Sequence, residues 1–177
     1  MTLTRVDTRV GNVVTYGATM LAGKNVFGVS WIDVGCFSQQ TDKLNSFQLI
    51  FTERSDIAAG DFDFEFNDDQ IQWETGGASG GVNGLGGSSA RMGWSNAAAN
   101  TYAQAGSAIN GGLLDGGPNA LISNSLNSGV AGRYIFVFNV RNGGVVVPPQ
   151  PMPEPATQPL VGLALVGAAA ASRRRRG

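Results

Sequence analysis

A chain of 177 residues is long enough for one domain with a real core. Its 12 basic and 13 acidic side chains are unevenly placed: the tail from residue 153 holds four arginines and one glutamate, which leaves eight basic and twelve acidic residues before it. That acidic body repels phosphate backbones and argues against nucleic acid as a partner. The absence of histidine excludes a Ser-His-Asp triad, a Cys-His pair and a His-ligated zinc site.

In chain order, the opening "MTLTRVDTRVGN" is polar and lacks the apolar stretch of a secretory signal peptide. From residue 12 to 141, short strand-like runs alternate with turn signals, and the 26 glycines follow no period. "NVFGVSW" (25–31) sets Val26, Gly28 and Ser30 against Phe27, Val29 and Trp31. The single cysteine, Cys36, can form no disulfide within the chain and reads as a small packed residue. "SFQLIFTE" (46–53) places Phe47, Leu49 and Phe51 on one face. "DFDFEF" (61–66) turns Phe62, Phe64 and Phe66 inward and Asp61, Asp63 and Glu65 outward. "QIQWET" (70–75) follows after only "NDD", and the two runs predict a hairpin.

"GGASGGVNGLGGSS" (76–89) is a glycine-rich connection without the Lys-Ser/Thr of a phosphate loop. "SARMGWS" (89–95) reads as a short strand and residues 96–110 as a loop. "RYIFVFNV" (133–140) reads as a strand buried on both faces. No helix is expected before the tail. The fold class is therefore all-β, an antiparallel sheet or sandwich-like domain over residues 1–143. A Pro-rich linker over 144–152, in which Val145 to Val147 finish a strand, and a tail over 153–177 follow it.

The tail reads "PEPATQPLVGLALVGAAAASRRRRG". Its uncharged run from Leu160 to Ala171 has 12 residues, and as a helix it spans roughly 18 Å against a hydrocarbon core of about 30 Å. It pauses in a membrane more readily than it anchors there, and Arg173, Arg174, Arg175 and Arg176 hold the terminus on the cytoplasmic side. In order, spacing and position the segment resembles the PEP-CTERM sorting signal of Gram-negative bacteria, with Pro153, Glu154 and Pro155 as the motif. The resemblance implies cleavage near these residues by an exosortase-type membrane protease, after transient anchoring in the inner membrane. It also implies delivery to the cell surface or an exopolysaccharide matrix.

In the body, "FGVSW", "VGCF", "DKLNSFQLIF", "DFDFEFN", "IQWETG", "ARMGWSN" and "SLNSGVAGRYIFVFNVRNG" together resemble a nidogen-like (NIDO) extracellular domain. The resemblance covers roughly residues 4 to 143 and implies a non-enzymatic role in cell–matrix adhesion, with a matrix protein or polysaccharide as partner. "TRVDTRVGNVVTYG" (4–17) is similar to the middle of that domain. The resemblance thus implies that the chain starts inside it, with further strands and a signal peptide encoded upstream and part of the apolar sheet face uncovered.

Eight of the 13 acids lie between Glu53 and Glu74, opposed there only by Arg54. Three readings stay open. The acids form a solvated outer strand face. Alternatively, Asp61, Asp63, Glu65, Asp68 and Asp69 converge on calcium, without the glycine of an EF-hand loop. In the third reading, carboxylates near Asp61–Asp69 hydrolyse a glycoside, as in a carbohydrate-active enzyme. No other cofactor is implied. Trp31, Trp73 and Trp94 read as core residues before sugar platforms.

Overall fold

Side chains leave a strand on alternating faces, and the runs that keep this alternation build the sheet. The computed structural model describes residues 4–5, 13–37, 40–96, 101–140 and 144–146. The tail with Pro153, Glu154, Pro155, its apolar run and Arg173 to Arg176 lies outside the described residues.

Strands β1 (Thr4–Arg5), β2 (Val13–Leu21), β3 (Lys24–Cys36), β4 (Gln40–Glu53) and β5 (Phe62–Ile71) form an antiparallel meander. Two short strands, β6 (Gly93–Ser95) and β7 (Thr101–Ala103), pair only with each other. Strand β8 (Arg133–Asn139) returns to lie beside β5, and β9 (Gly144–Val146) closes the edge. The main sheet thus runs β1-β2-β3-β4-β5-β8-β9. The remaining regular elements among the described residues are two 3-10 turns, Gly77–Ser79 and Leu121–Ser123. The fold is all-β and antiparallel, as its alternation predicts. Residues 144–146, at the start of the segment read as a linker, form β9 on the sheet, where the sequence has Val145 to Val147 finishing a strand.

The β2–β3 hairpin turns on Ala22 and Gly23, both at positive φ (50° and 77°), the geometry that matches the natural twist of two paired strands. Cross-strand pairs Phe27↔Phe51, Phe51↔Phe64 and Phe64↔Phe136 run along one face of the sheet, with Trp31↔Phe47 and Phe66↔Tyr134 beside them. Phe64 stacks on Phe136 at 5.1 Å, and Trp94 and Tyr102 approach Phe136 edge-on from the small β6–β7 ribbon. Phe64, Ile71, Met92, Leu113, Leu121, Tyr134 and Phe136 form the buried core.

The cover over this face is made of turns and the small ribbon, and it lies over β5 and β8. Toward β2 the aromatic face is open. Tyr16, Met20 and Phe27 are exposed, with Tyr16 and Phe27 rings 6.1 Å apart.

The predicted hairpin between "DFDFEF" and "QIQWET" does not form. "NDD" lies inside one continuous strand, β5, because its register to β4 absorbs an extra residue there. Ser46 pairs with Gln70 and Phe47 with Asp68, leaving Asp69 as the bulged residue. A second bulge sits opposite, on β3, where Trp31 pairs with Phe47 and Val34 with Asn45. Its residue Asp33 has φ 55° and donates its backbone N–H to Ser46 Oγ at 3.0 Å.

Phe136 has no exposed surface, whereas Phe27 is 41 % exposed. In urea unfolding of the full chain, Phe136→Ala is expected to cost about 3–5 kcal/mol and Phe27→Ala about 1 kcal/mol or less. Equal losses would show that the open end of the sheet is covered in solution.

Candidate functional site

A bulge lets residues three apart share one face. On β5 it turns both Asp68 and Ile71 toward the aromatic side, and on β3 it does the same for Trp31 and Val34. Together with Asn45 and Phe47 of β4 they form the floor of a cavity of about 420 Å³. Its other walls come from the covering segments, chiefly Trp73, Glu74, Met92, Leu113 and Leu121, and Arg91 is exposed at its rim. The lining is apolar and aromatic with a few polar groups, the usual chemistry of a ligand site. Trp31 stacks on Phe47 with centroids 5.0 Å apart and planes 17° from parallel.

Polar side chains hold this architecture. Glu74 is buried, and its Oε1 and Oε2 accept the backbone N–H groups of Leu113 (2.7 Å) and Gly111 (2.8 Å). Asn45 Oδ1 accepts from the N–H groups of Gln72 (2.7 Å) and Trp73 (3.1 Å), while its Nδ2 donates to the Trp73 carbonyl at 2.9 Å. Asp115 Oδ1 accepts from the N–H of Ile71 at 3.0 Å. Trp73 Nε1 donates to the Val34 carbonyl at 2.9 Å, which fixes the indole as a wall. These contacts join residues 27 to 44 apart in sequence, so no local motif announces them.

Asp68 is different. Its Oδ2 is shielded from solvent and has no hydrogen-bond partner. Burial pushes its carboxyl up to about 7, with no cation offsetting the rise. The Tyr134 hydroxyl donates to the Leu121 carbonyl at 3.1 Å, and burial together with the nearby Asp68 charge raises it. Gly132 seals the bulge from behind: Asp68 N–H donates to its carbonyl at 2.8 Å, and a Cβ there would lie 2.3 Å from the Asp68 carbonyl oxygen.

The five acids read as calcium ligands from sequence do not come together. Among the described residues no group of three or more acidic or cysteine side chains could hold a metal ion. Asp61, expected outward, is buried, and its Oδ1 accepts the Val140 N–H at 2.9 Å. Asp63 pairs with Arg54 and Glu65 with Arg133 of β8 on the outer face. Asp68 points to the opposite face and Asp69 is exposed at the bulge. Plain alternation is the physical reason: Asp68 follows Phe62, Phe64 and Phe66 on the aromatic face, in unbroken register with β4, whereas Asp63 and Glu65 lie on the other. The same division sets Asp68 apart from Asp63 and Glu65 as partners in a hydrolytic pair. Arg54 is not the sole opposing charge, since Arg133 and Lys24 bring cations from other strands.

Cys36 is buried, its thiol donating to Gln40 Oε1 at 3.3 Å, which fits the packing role. Trp31 and Trp73 line the cavity, and Trp94 packs on the core. Among the described residues no helix is long and apolar enough to cross a membrane.

The pH dependence of stability follows from Asp68. An ordinary aspartate titrates near 3.8, below the folded-state value of about 7. Below pH 4 both folded and unfolded chains hold the proton. As pH rises toward 7 the unfolded chain releases it first, so the folded state loses stability, and above 7 the full cost remains. Asp68→Asn is therefore expected to match the wild type near pH 3.5 and to exceed it by about 2–4 kcal/mol at pH 8. Denaturant unfolding at the two pH values checks this, and an unchanged difference would refute it.

Comparison with known proteins places this architecture. A family model for the nidogen-like domain matches residues 1–141. No curated protein and no solved structure gives a significant match. Most of the chain, including every strand of the meander and the cavity it floors, thus falls within one extracellular, adhesion-type domain, and the chain belongs to the nidogen-like (NIDO) family.

Proposed function

We propose that this protein is an exported, non-enzymatic adhesion module that associates with an extracellular matrix protein or polysaccharide. The observation that carries the reading is the nidogen-like match over residues 1–141. The exposed strip of Tyr16, Met20 and Phe27 supports it, because contiguous apolar surface on a soluble domain marks a contact site. The distribution of the acids over two faces of β5 supports a binding role over carboxylate-pair hydrolysis.

The tail sequence supports the route to the surface. Pro153, Glu154 and Pro155 would be recognised by an exosortase-type protease while the apolar run rests in the inner membrane and Arg173 to Arg176 stay behind. Display of many copies raises weak individual contacts to useful avidity.

In cells carrying the sorting machinery, a chain tagged at its extreme C-terminus is expected to lose the tag and reach the surface. Replacing all four arginines with alanine is expected to leave it whole and cell-associated. Wild-type protein that stays intact in the cytosol would remove the export reading. For the adhesive part, purified chain is expected to be retained on exopolysaccharide without generating new reducing ends. Tyr16→Ser with Phe27→Ser is expected to lower that retention severalfold. New reducing ends that vanish in Asp63→Asn would establish a hydrolase instead.

A further inference from the structure

The cavity beside the two bulges presents many apolar surfaces and one unmet polar demand. Trp31, Phe47, Phe66, Ile71, Met92 and Leu113 supply apolar walls. Its two other buried polar side chains are engaged: both Glu74 oxygens accept backbone N–H groups, and the Asn45 amide is bonded at both ends. Of the buried side-chain atoms left without a partner among the described residues, the one on a residue lining the cavity is Asp68 Oδ2, on the strand directly across from Phe47. A buried acceptor left unpaired in a native fold calls for an explanation.

A ligand donor would supply one, and its charge can be argued. A neutral hydroxyl offers a hydrogen bond only. An ammonium group offers a charge-assisted bond to the carboxylate, roughly twice as strong as a neutral one. It also gains from the ring faces of the box, since aromatic quadrupoles attract cations. The stacked Trp31–Phe47 pair makes a flat wall along which an apolar stem can lie. The excess of acidic over basic residues before the tail favours approach of a cation. Arg91 is exposed at the rim and is not bonded to Asp68.

We propose that this cavity binds a small amphiphilic amine, its ammonium group pairing with the Asp68 carboxylate and its aromatic or apolar stem lying against Trp31 and Phe47. The volume of about 420 Å³ accommodates a one- or two-ring stem. This site is separate from the open strip over β2 and β3, and it stands whether or not that strip is adhesive.

Binding of a cation favours the ionised carboxylate, so affinity depends on pH. The ionisable groups facing Asp68 or sharing its two flanking hollows are Tyr134, Tyr102, Glu74 and Arg91 on the cavity side, and Asp69 and Arg133 behind the bulge. Of these the tyrosines titrate well above neutrality, raised by burial. With the Asp68 carboxyl at about 7, the amine must displace a proton at pH 5 but not at pH 8. The expected loss between the two is roughly 100-fold.

The test titrates the full chain with 2-phenylethylamine and with 2-phenylethanol, which share a stem and differ in the charged group, by calorimetry or ligand-observed NMR. At pH 8 the amine is expected to bind about tenfold or more tightly than the alcohol. At pH 5 the preference should disappear. Asp68→Asn, shown to be folded by its melting transition, should bind both compounds alike. If that variant does not fold, the wild-type pair decides alone. Equal binding of the two compounds at pH 8, or no binding of the amine at millimolar concentration, overturns the proposal.

Discussion

A cover built from turns has no ladder of its own, so its buried backbone groups must be bonded by something else. This constraint shapes the half of the molecule between β5 and β8. Glu74 takes up two N–H groups of the segment that carries Leu113, and Asn45 and Asp115 bind the chain where it leaves β5. Asp61 does the same at the far end for Val140. Only with these bonds in place can Leu113, Leu121 and Met92 be held over Phe64 and Phe136. Several buried polar side chains therefore act as the equivalent of secondary structure, each accepting charge-assisted or amide bonds that water would otherwise provide.

The two bulges set what the sheet offers beneath that cover. Without them Asp68 would share its face with Gln70, and Trp31 with Asp33, as strict alternation requires. With them, Ile71 and Val34 join Asp68 and Trp31 around one hollow, and Trp73 adds a further wall. Asp68 contrasts with Glu74, which is more deeply placed and has both oxygens bonded. One stabilises the fold; the other opposes it above neutral pH and is retained at a cavity wall, a pattern common at binding sites.

The sequence was informative where chemistry is local. Phe62, Phe64 and Phe66 alternate with acids, and both the strand and its buried face follow from that period. Phe47, Leu49 and Phe51 do likewise, and the nidogen-like resemblance rests on these same runs. Where a contact spans distant residues, the reading failed. "NDD" has the composition of a turn, and only pairing with β4 shows that it bulges within a strand. Asp61 is flanked like the outward acids, yet a backbone N–H 79 residues away draws it inside. Glu74 and Asn45 carry no motif, because what they bond is the backbone of other segments.

The order of elements has a temporal consequence. Strands β2 to β5 are joined by short connections and can zip together as successive hairpins. Strand β8 reaches β5 only after roughly 60 residues have been looped back, at a larger entropic cost. Assembly is thus expected in two stages, the meander first and its roof second. Between them the nascent sheet presents its full row of rings to solvent. That interval, more than the finished molecule, is when a chaperone or a neighbouring copy has most to hold on to.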